Sequence, residues 1–221
     1  MRNDIITAFR LIANACKLWW QDWANQVLVS LLALLLSLTI VLAPASLMGI
    51  FQEMQDLSNG IRTGLIGFWQ GFKRHFWCSL SFGLVNLLVL VVLAVNIWFY
   101  ANIEAVWSPL LVVLLILLAF FWFMLQFFAL GYLFEQDERS LRLAWHNSFL
   151  TVLAAPFFTI VLGGFALIIT VLSLGLILPL IIGSLPLVAL LSLMGVRNRL
   201  ETYKIRQPSF EGQNLEHNSN T

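Results

Sequence analysis

Fifty consecutive residues without a charged side chain decide the fold: Asn147–Val196, which reads NSFLTVLAAPFFTIVLGGFALIITVLSLGLILPLIIGSLPLVALLSLMGV. Crossing about 30 Å of hydrocarbon takes about 20 helical residues, so this stretch is long enough for two membrane-spanning helices. A single span would leave a long irregular segment without hydrogen-bond partners in lipid. Ser173 and Gly175 favour a turn, and we predict spans near 149–172 and 176–196.

Three more uncharged stretches precede it, Trp23–Gln52, Phe76–Ile103 and Ala105–Phe134, and each fits one helix. They predict spans near 27–51, 77–102 and 107–133. The chain has 221 residues, of which 60% are hydrophobic and 10% charged, whereas a soluble domain carries about 25% charge. We therefore predict an all-α, polytopic membrane protein. About five transmembrane helices would form one bundle over residues 1–206, and a polar, disordered tail would follow over residues 207–221.

The Lys and Arg residues predict the topology, because positive charge near the ends of a span resists translocation. With five spans, nine of the twelve lie on the side of the C-terminus and three on the other, whereas four spans would divide them seven to five. We therefore expect a bacterial plasma membrane protein with a cytoplasmic C-terminus and, by parity, an outside N-terminus. A signal peptide cleaved near Ala43-Pro44-Ala45 is the alternative, and it would leave the cluster Arg62, Lys73 and Arg74 outside.

Residues 2–24 predict an amphipathic helix ahead of the first span. Its apolar residues recur at spacings of three and four: Ile5, Phe9, Ile12, Cys16, Trp19 and Trp23. Such a helix is expected to lie in the membrane interface with its apolar face toward the lipid.

The connection Glu53–His75 contains four glycines, Gly60, Gly64, Gly67 and Gly71, at spacings of three and four. On a helix they would form a smooth stripe for close packing, and otherwise they indicate flexibility. The sequence FWQGFKRHFW follows at Phe68–Trp77. Its aromatic and basic side chains predict an interface or lipid-anchoring surface that binds anionic headgroups. The candidate residues are Phe68, Trp69, Phe72, Lys73, Arg74, Phe76 and Trp77.

Inside the predicted spans, two groups of residues are candidates for helix contacts. An amide in hydrocarbon needs a partner, so Asn86 and Gln126 should hydrogen-bond to another helix, with the lining of a polar path as the alternative. A stripe of small residues at four-residue spacing predicts close helix packing. Its members are Thr151, Ala155, Thr159 and Gly163.

The sequence contains no recognisable catalytic or cofactor motif. His75, His146 and His217 lie in separate segments, so we predict no metal site, no cofactor and no enzymatic activity. A net charge of +1 predicts no nucleic-acid binding. Glu135, Asp137 and Glu138 precede Arg139 and Arg142 at helical spacing, which predicts a salt-bridged cytoplasmic helix.

Several features together resemble the YesL-like family of bacterial integral membrane proteins of unknown function. They are a charged lead-in, a first span that ends near Pro44-Ala45-Ser46, the aromatic-basic stretch from Phe68 to Phe76, and a proline-containing fourth helix after Leu141–Asn147. The resemblance implies about five spans and frequent company with carbohydrate-uptake genes. It carries over no catalytic residue.

These observations favour an integral membrane accessory or assembly protein that contacts membrane lipids and binds a membrane-protein or transporter partner through its cytoplasmic loops. The alternative is a transporter, or a permease subunit of an ABC-type importer, that moves a small solute. In that case the loop Glu135–Asn147 would dock on an ATPase. The absence of acidic and basic residues from the spans disfavours a proton- or ion-coupled transporter.

Overall fold

The computed structural model describes residues 2–136, 140–176 and 178–206, and these residues form ten α-helices. In chain order the helices are α1 Arg2–Gln21, α2 Trp23–Ser37, α3 Ala43–Ser58, α4 Leu65–Arg74, α5 Phe76–Ala101, α6 Ser108–Glu135, α7 Leu141–Ala154, α8 Pro156–Leu176, α9 Leu178–Ile182 and α10 Ser184–Arg206. The predicted tail, 207–221, lies outside the described residues, as do Asp137, Glu138 and Arg139.

Three of the helices, α5, α6 and α8, are long and apolar enough to cross a membrane. The predicted all-α class is therefore confirmed, and these helices support a membrane-embedded protein. The predicted number of about five spans is not confirmed, because the first, fourth and fifth predicted spans contain breaks or shorter helices.

The first predicted span, 27–51, is not one helix. Helix α2 ends at Ser37 and α3 starts at Ala43, and the two pack against each other as a hairpin. The Gln26 side chain near the start of α2 donates to Glu53 in the second half of α3, so the two helices run antiparallel. Pro44 lies in the first turn of α3, where its missing N–H is harmless, although it would break a continuous helix.

The fourth and fifth predicted spans are also interrupted. Ala155 leaves the helical conformation, with φ −138° and ψ 62°, between α7 and α8. Pro156 explains this break, because a proline disfavours the α conformation of the residue before it. Gly183 separates α9 from α10 with φ +117°, a conformation that suits glycine.

Four helix ends meet at one place, which we call the charged end and define by Asp4, Ser58, Glu135, Arg197 and Arg199. Arg199 on α10 forms an ion pair of 3.0 Å with Asp4 at the start of α1. Arg197 forms one of 2.9 Å with Glu135 at the end of α6 and also bonds to Ser58 at the end of α3. The start of α1 and the last part of α10 therefore lie together, whereas the predicted topology placed the two termini on opposite sides of the membrane.

Helix α1 packs against α8 and α10. Ala8 and Ala15 are its fully buried residues, whereas Phe9, from the predicted apolar stripe, is 60% exposed. The buried face is thus displaced by one position from the predicted one, because small alanines make the closest contacts and larger side chains flank them. The helix also ends at Gln21, earlier than predicted.

The core lies around the second half of α6. Phe128, Tyr132 and Leu133 are almost completely buried there and contact neighbouring helices. The first half of α6 and most of α5 form an apolar hairpin with large exposed side chains. This hairpin starts at the charged end, because His75 packs against Phe134 with ring centroids 5.2 Å apart.

Candidate functional site

A buried polar cluster lies between α2 and α3 and consists of Asp22, Gln26, Ser30 and Glu53. Glu53 is 1% exposed and Gln26 is fully buried. Gln26 Nε2 donates to Glu53 Oε1 at 3.1 Å and, over 3.5 Å, to Asp22 Oδ2. Asn25 holds the other Asp22 oxygen at 2.9 Å. A carboxylate enclosed in this way is costly unless it is paired or protonated, so the cluster is the chemically most distinctive part of the described structure.

Three oxygen atoms of this buried polar cluster are buried without a hydrogen-bond partner: Gln26 Oε1, Ser30 Oγ and Glu53 Oε2. Burial raises the pKa of Glu53 to about 8. The hydrogen bond from Gln26 lowers that pKa, and the nearby Asp22 and Asp56 raise it further. The uncompensated oxygens and the raised pKa both indicate that Glu53 holds a proton near neutral pH.

Glu53 does not stand out in the sequence, because it lies just beyond the first predicted span, in a polar connection. A signal was nevertheless present. Asp22, Gln26 and Ser30 recur every four residues, so they share one face of a helix. The turn after Ser37, which brings that face against Glu53, could not be predicted from this spacing.

The predicted surface at Phe68–Trp77, which we call the aromatic-basic surface, divides into two faces on α4 and the start of α5. Phe68 is fully buried and Phe72 is 8% exposed. The side chains that point outward are Trp69, Lys73, Arg74 and Trp77, whereas Phe76 is half-buried. The Trp69 ring stacks on Phe72, with centroids 5.3 Å apart, and Lys73 Nζ lies 5.1 Å from the Trp69 centroid. This arrangement presents cations and indole rings side by side on an exposed face.

The four glycines before this surface have two different roles. Gly60 and Gly64 have positive φ angles, +82° and +54°, and shape the turn between α3 and α4. Gly67 and Gly71 lie on α4 and let it approach α3 closely. A Cβ atom on Gly71 would come within 2.3 Å of Gln52 Cβ. The closely packed part of the stripe is therefore the pair Gly67 and Gly71, about one helical turn apart.

Asn86 and Gln126 lie together in a network that joins three helices. Asn86 Nδ2 donates to Gln126 Oε1 at 3.4 Å and also to Phe82 O of its own helix at 2.9 Å. Trp122 Nε1 donates to Asn86 Oδ1 at 3.2 Å, and Trp145 Nε1 to Gln126 Oε1 at 3.1 Å. The two amides thus connect α5, α6 and α7, with tryptophan N–H groups as the extra donors.

The small-residue stripe is divided between two helices, since Thr151 lies on α7, Ala155 at the break, and Thr159 and Gly163 on α8. All four are buried. The Thr151 hydroxyl lies 2.6 Å from the Tyr132 hydroxyl, and Gly163 faces Met124 at a distance that leaves no room for a Cβ atom. Thr151 and Gly163 thus contact α6 from two different helices rather than from one continuous face.

At the charged end, Glu135 pairs with Arg197, while Arg142 is exposed. Helix α6 ends at Glu135, so the predicted salt-bridged helix does not extend through this residue. The hydrogen bond to Arg199 lowers the pKa of Asp4. A cleft of about 160 Å³ opens there between α1, α3 and α10, smaller than the roughly 300–1,000 Å³ of most small-molecule sites. Within the described part of the chain, no three His, Cys, Asp or Glu residues form a group that could hold a metal ion.

Comparison of the chain with protein-family models, with curated proteins and with solved structures gives no match.

Proposed function

We propose that this chain is an integral membrane accessory or assembly protein that binds a membrane-protein partner beside its aromatic-basic surface. The observation that carries the proposal is the two-faced helix α4, in which Phe68 is fixed in the core while Trp69 and Lys73 are exposed. Exposed aromatic and cationic side chains on a rigid helix suit contact with lipid headgroups or with a partner's surface. The resemblance to the YesL-like family adds the expectation that the partner belongs to a carbohydrate-uptake system.

The proposed topology has both termini in the cytoplasm of a bacterial plasma membrane. Helices α5, α6 and α8 each cross the membrane, and α9 and α10 together form the fourth crossing, which returns the chain to the cytoplasm. The α2–α3 hairpin enters the membrane from the cytoplasmic side and leaves it on the same side. This arrangement assigns all twelve Lys and Arg residues to cytoplasmic segments, a stronger asymmetry than nine against three. The meeting of helix ends at the charged end supports it, because α1, α3, α6 and α10 each have one terminus there.

A transporter, such as an ABC-type permease subunit, is the second candidate, and the buried Glu53 favours it. Ionisable residues buried in membrane proteins frequently mark ion or substrate pathways. The sequence disfavours this function because no acidic residue lies inside a predicted span. The α2–α3 hairpin weakens that argument, because it buries Glu53.

Two measurements on the full chain separate these functions. For the accessory function, we expect a transport-system component to co-purify after cross-linking from a photoreactive residue at Trp69. The double variant Lys73→Glu/Arg74→Glu should lose this product, whereas Lys17→Glu, an exposed charge reversal on α1, should keep it. Solute uptake into liposomes that contain only this chain would instead establish the transporter and refute the accessory function.

A further inference from the structure

The buried polar cluster contains more oxygen atoms than its hydrogen bonds can use. Gln26 has a single donating nitrogen, which serves Glu53 Oε1 and Asp22 Oδ2, so nothing is left for Glu53 Oε2. Gln26 Oε1 and Ser30 Oγ lie on the same face of α2 and are also without partners. An ionised Glu53 would leave a buried negative charge with one donor, next to a second carboxylate.

We propose that Glu53, enclosed between α2 and α3 with Gln26 and Asp22, is a proton-binding site, and that release of its proton loosens the α2–α3 hairpin. A proton neutralises the carboxylate in place and turns Oε2 from an unsatisfied acceptor into a donor. Loss of the proton restores the buried charge, and the least costly response is separation of the two helices so that water reaches the carboxylate.

Among the side chains that the structure describes, no cation on the surrounding helices acts on Glu53. The two that act on it, Asp22 and Asp56, are both acidic, and Asp56 is held by Gln52 and Thr63. The other charged groups with described side chains on α4, α6 and α10 are engaged elsewhere or exposed: Lys73 over Trp69, Glu135 with Arg197, Arg199 with Asp4, and Arg74 and Glu201 at the surface. His75, between α4 and α5, packs against Phe134. A proton is therefore the charge compensation that the described surroundings allow.

The pKa of about 8 sets the range in which this site should act. Because the pKa is raised above its ordinary value of 4.5, the folded chain binds more protons than the unfolded chain between these two values. The contribution of Glu53 to stability is therefore largest below about pH 4.5, falls as the pH rises toward 8, and levels off above it. Across this window the unfolding equilibrium constant should rise about tenfold per pH unit.

The test is a titration of the full chain in nanodiscs by infrared spectroscopy, with unfolding measured in parallel. We expect a protonated carboxyl band that disappears with a midpoint near pH 8 in the wild type, shifts in frequency in Glu53→Asp and is absent from Glu53→Gln. Glu104→Gln, at an exposed position in the α5–α6 turn, is the matched control and should titrate like the wild type. The Gln26→Leu variant, which removes the donor to the ionised form, should raise the midpoint.

Three results would overturn the proposal. The first is a wild-type band that has already disappeared by pH 6, which needs no variant and is decisive even if Glu53→Gln does not fold. The second is a band that persists in Glu53→Gln. The third is a midpoint that depends on sodium concentration with choline as the control cation, which would assign the site to a metal cation instead of a proton. None of these outcomes bears on the accessory function, since no partner is present.

Discussion

Single glycines determine how closely helices approach in this molecule. Gly71 faces α3, where a Cβ atom would lie 2.3 Å from Gln52 Cβ and 3.1 Å from the Met48 carbonyl oxygen. Neither of these atoms is the free end of a flexible side chain, so Gly71→Ala must move α4 as a whole. We expect a loss of roughly 1–3 kcal/mol in the free energy of unfolding, measured in mixed detergent micelles.

The matched control for this substitution is Gly164→Ala on α8, where no atom lies within 4 Å of the added Cβ. Helix propensity alone then acts and favours alanine by up to about 1 kcal/mol. Equal stability changes for Gly71→Ala and Gly164→Ala would show that the α3–α4 contact is looser than described.

A second prediction about a single residue concerns Asn86, whose side chain accepts a hydrogen bond from Trp122 and donates one to Gln126. Asn86→Leu should lower the free energy of unfolding by about 0.6 kcal/mol, and by no more than about 1.7 kcal/mol, because interhelical hydrogen bonds in membranes are of that size. Asn96→Leu is the comparison, since Asn96 is half-buried and its side chain donates to the Val92 carbonyl of its own helix instead of to another helix. If both substitutions have the same effect, the network contributes nothing to stability.

What the sequence could predict at the level of residues followed from the cost of isolated polar groups in lipid. Asn86 and Gln126 stood out because each is an amide in an apolar helix, and the structure brings them together. Glu53 did not stand out, because an acid beside an apolar stretch is ordinarily solvated. Its burial depends on the hairpin turn, a feature of backbone geometry that composition does not report.

Among the elements, the long uninterrupted helices were predictable and the interrupted ones were not. α5 and α6 were expected over 77–102 and 107–133, and they extend from Phe76 to Ala101 and from Ser108 to Glu135. Hydropathy did not reveal the breaks near Pro44, Pro156 and Gly183, because apolar residues surround each one. The prolines and the glycine were visible in the sequence, but prolines are also accommodated within membrane helices, so they did not decide the matter.

The exposed cations of helix α4 lead to a prediction about lipid binding. Lys73→Glu/Arg74→Glu should lower the ratio of anionic to zwitterionic lipid that stays bound to the purified chain. Each cation near an anionic surface contributes about 1 kcal/mol, so removing both should reduce the preference by a factor of about thirty or more. Mass spectrometry of the bound lipids gives this ratio.

The control for α4 has the same change of charge on another exposed helix face, Arg10→Glu/Lys17→Glu on α1. A surface effect specific to α4 leaves this control close to the wild type. A similar loss in both double variants would mean that total charge, and not the arrangement of Trp69 beside Lys73, selects the lipid.

For the whole molecule, the charged end is the feature that organises the helices. Arg197 bonds to Glu135 on α6 and to Ser58 and Asn59 at the end of α3, so one side chain ties three helices together. Arg199 adds α1 through Asp4 and lies 3.7 Å above the Phe158 ring of α8. These contacts are long-range in sequence, so counting charges along the chain could not predict them.

Both termini are therefore expected on the cytoplasmic side, and this can be measured with single cysteines in a chain that lacks Cys16 and Cys78. In intact spheroplasts, a membrane-impermeant maleimide should label Glu104→Cys in the α5–α6 turn. It should label Arg10→Cys and Ile61→Cys only after lysis, because α1 begins at the charged end and the α2–α3 hairpin returns to it. Labelling of Arg10→Cys from outside would restore an odd number of crossings, and labelling of Ile61→Cys from outside would favour a cleaved signal peptide. In either case the proposed alignment of the charged end with the cytoplasm would have to be abandoned.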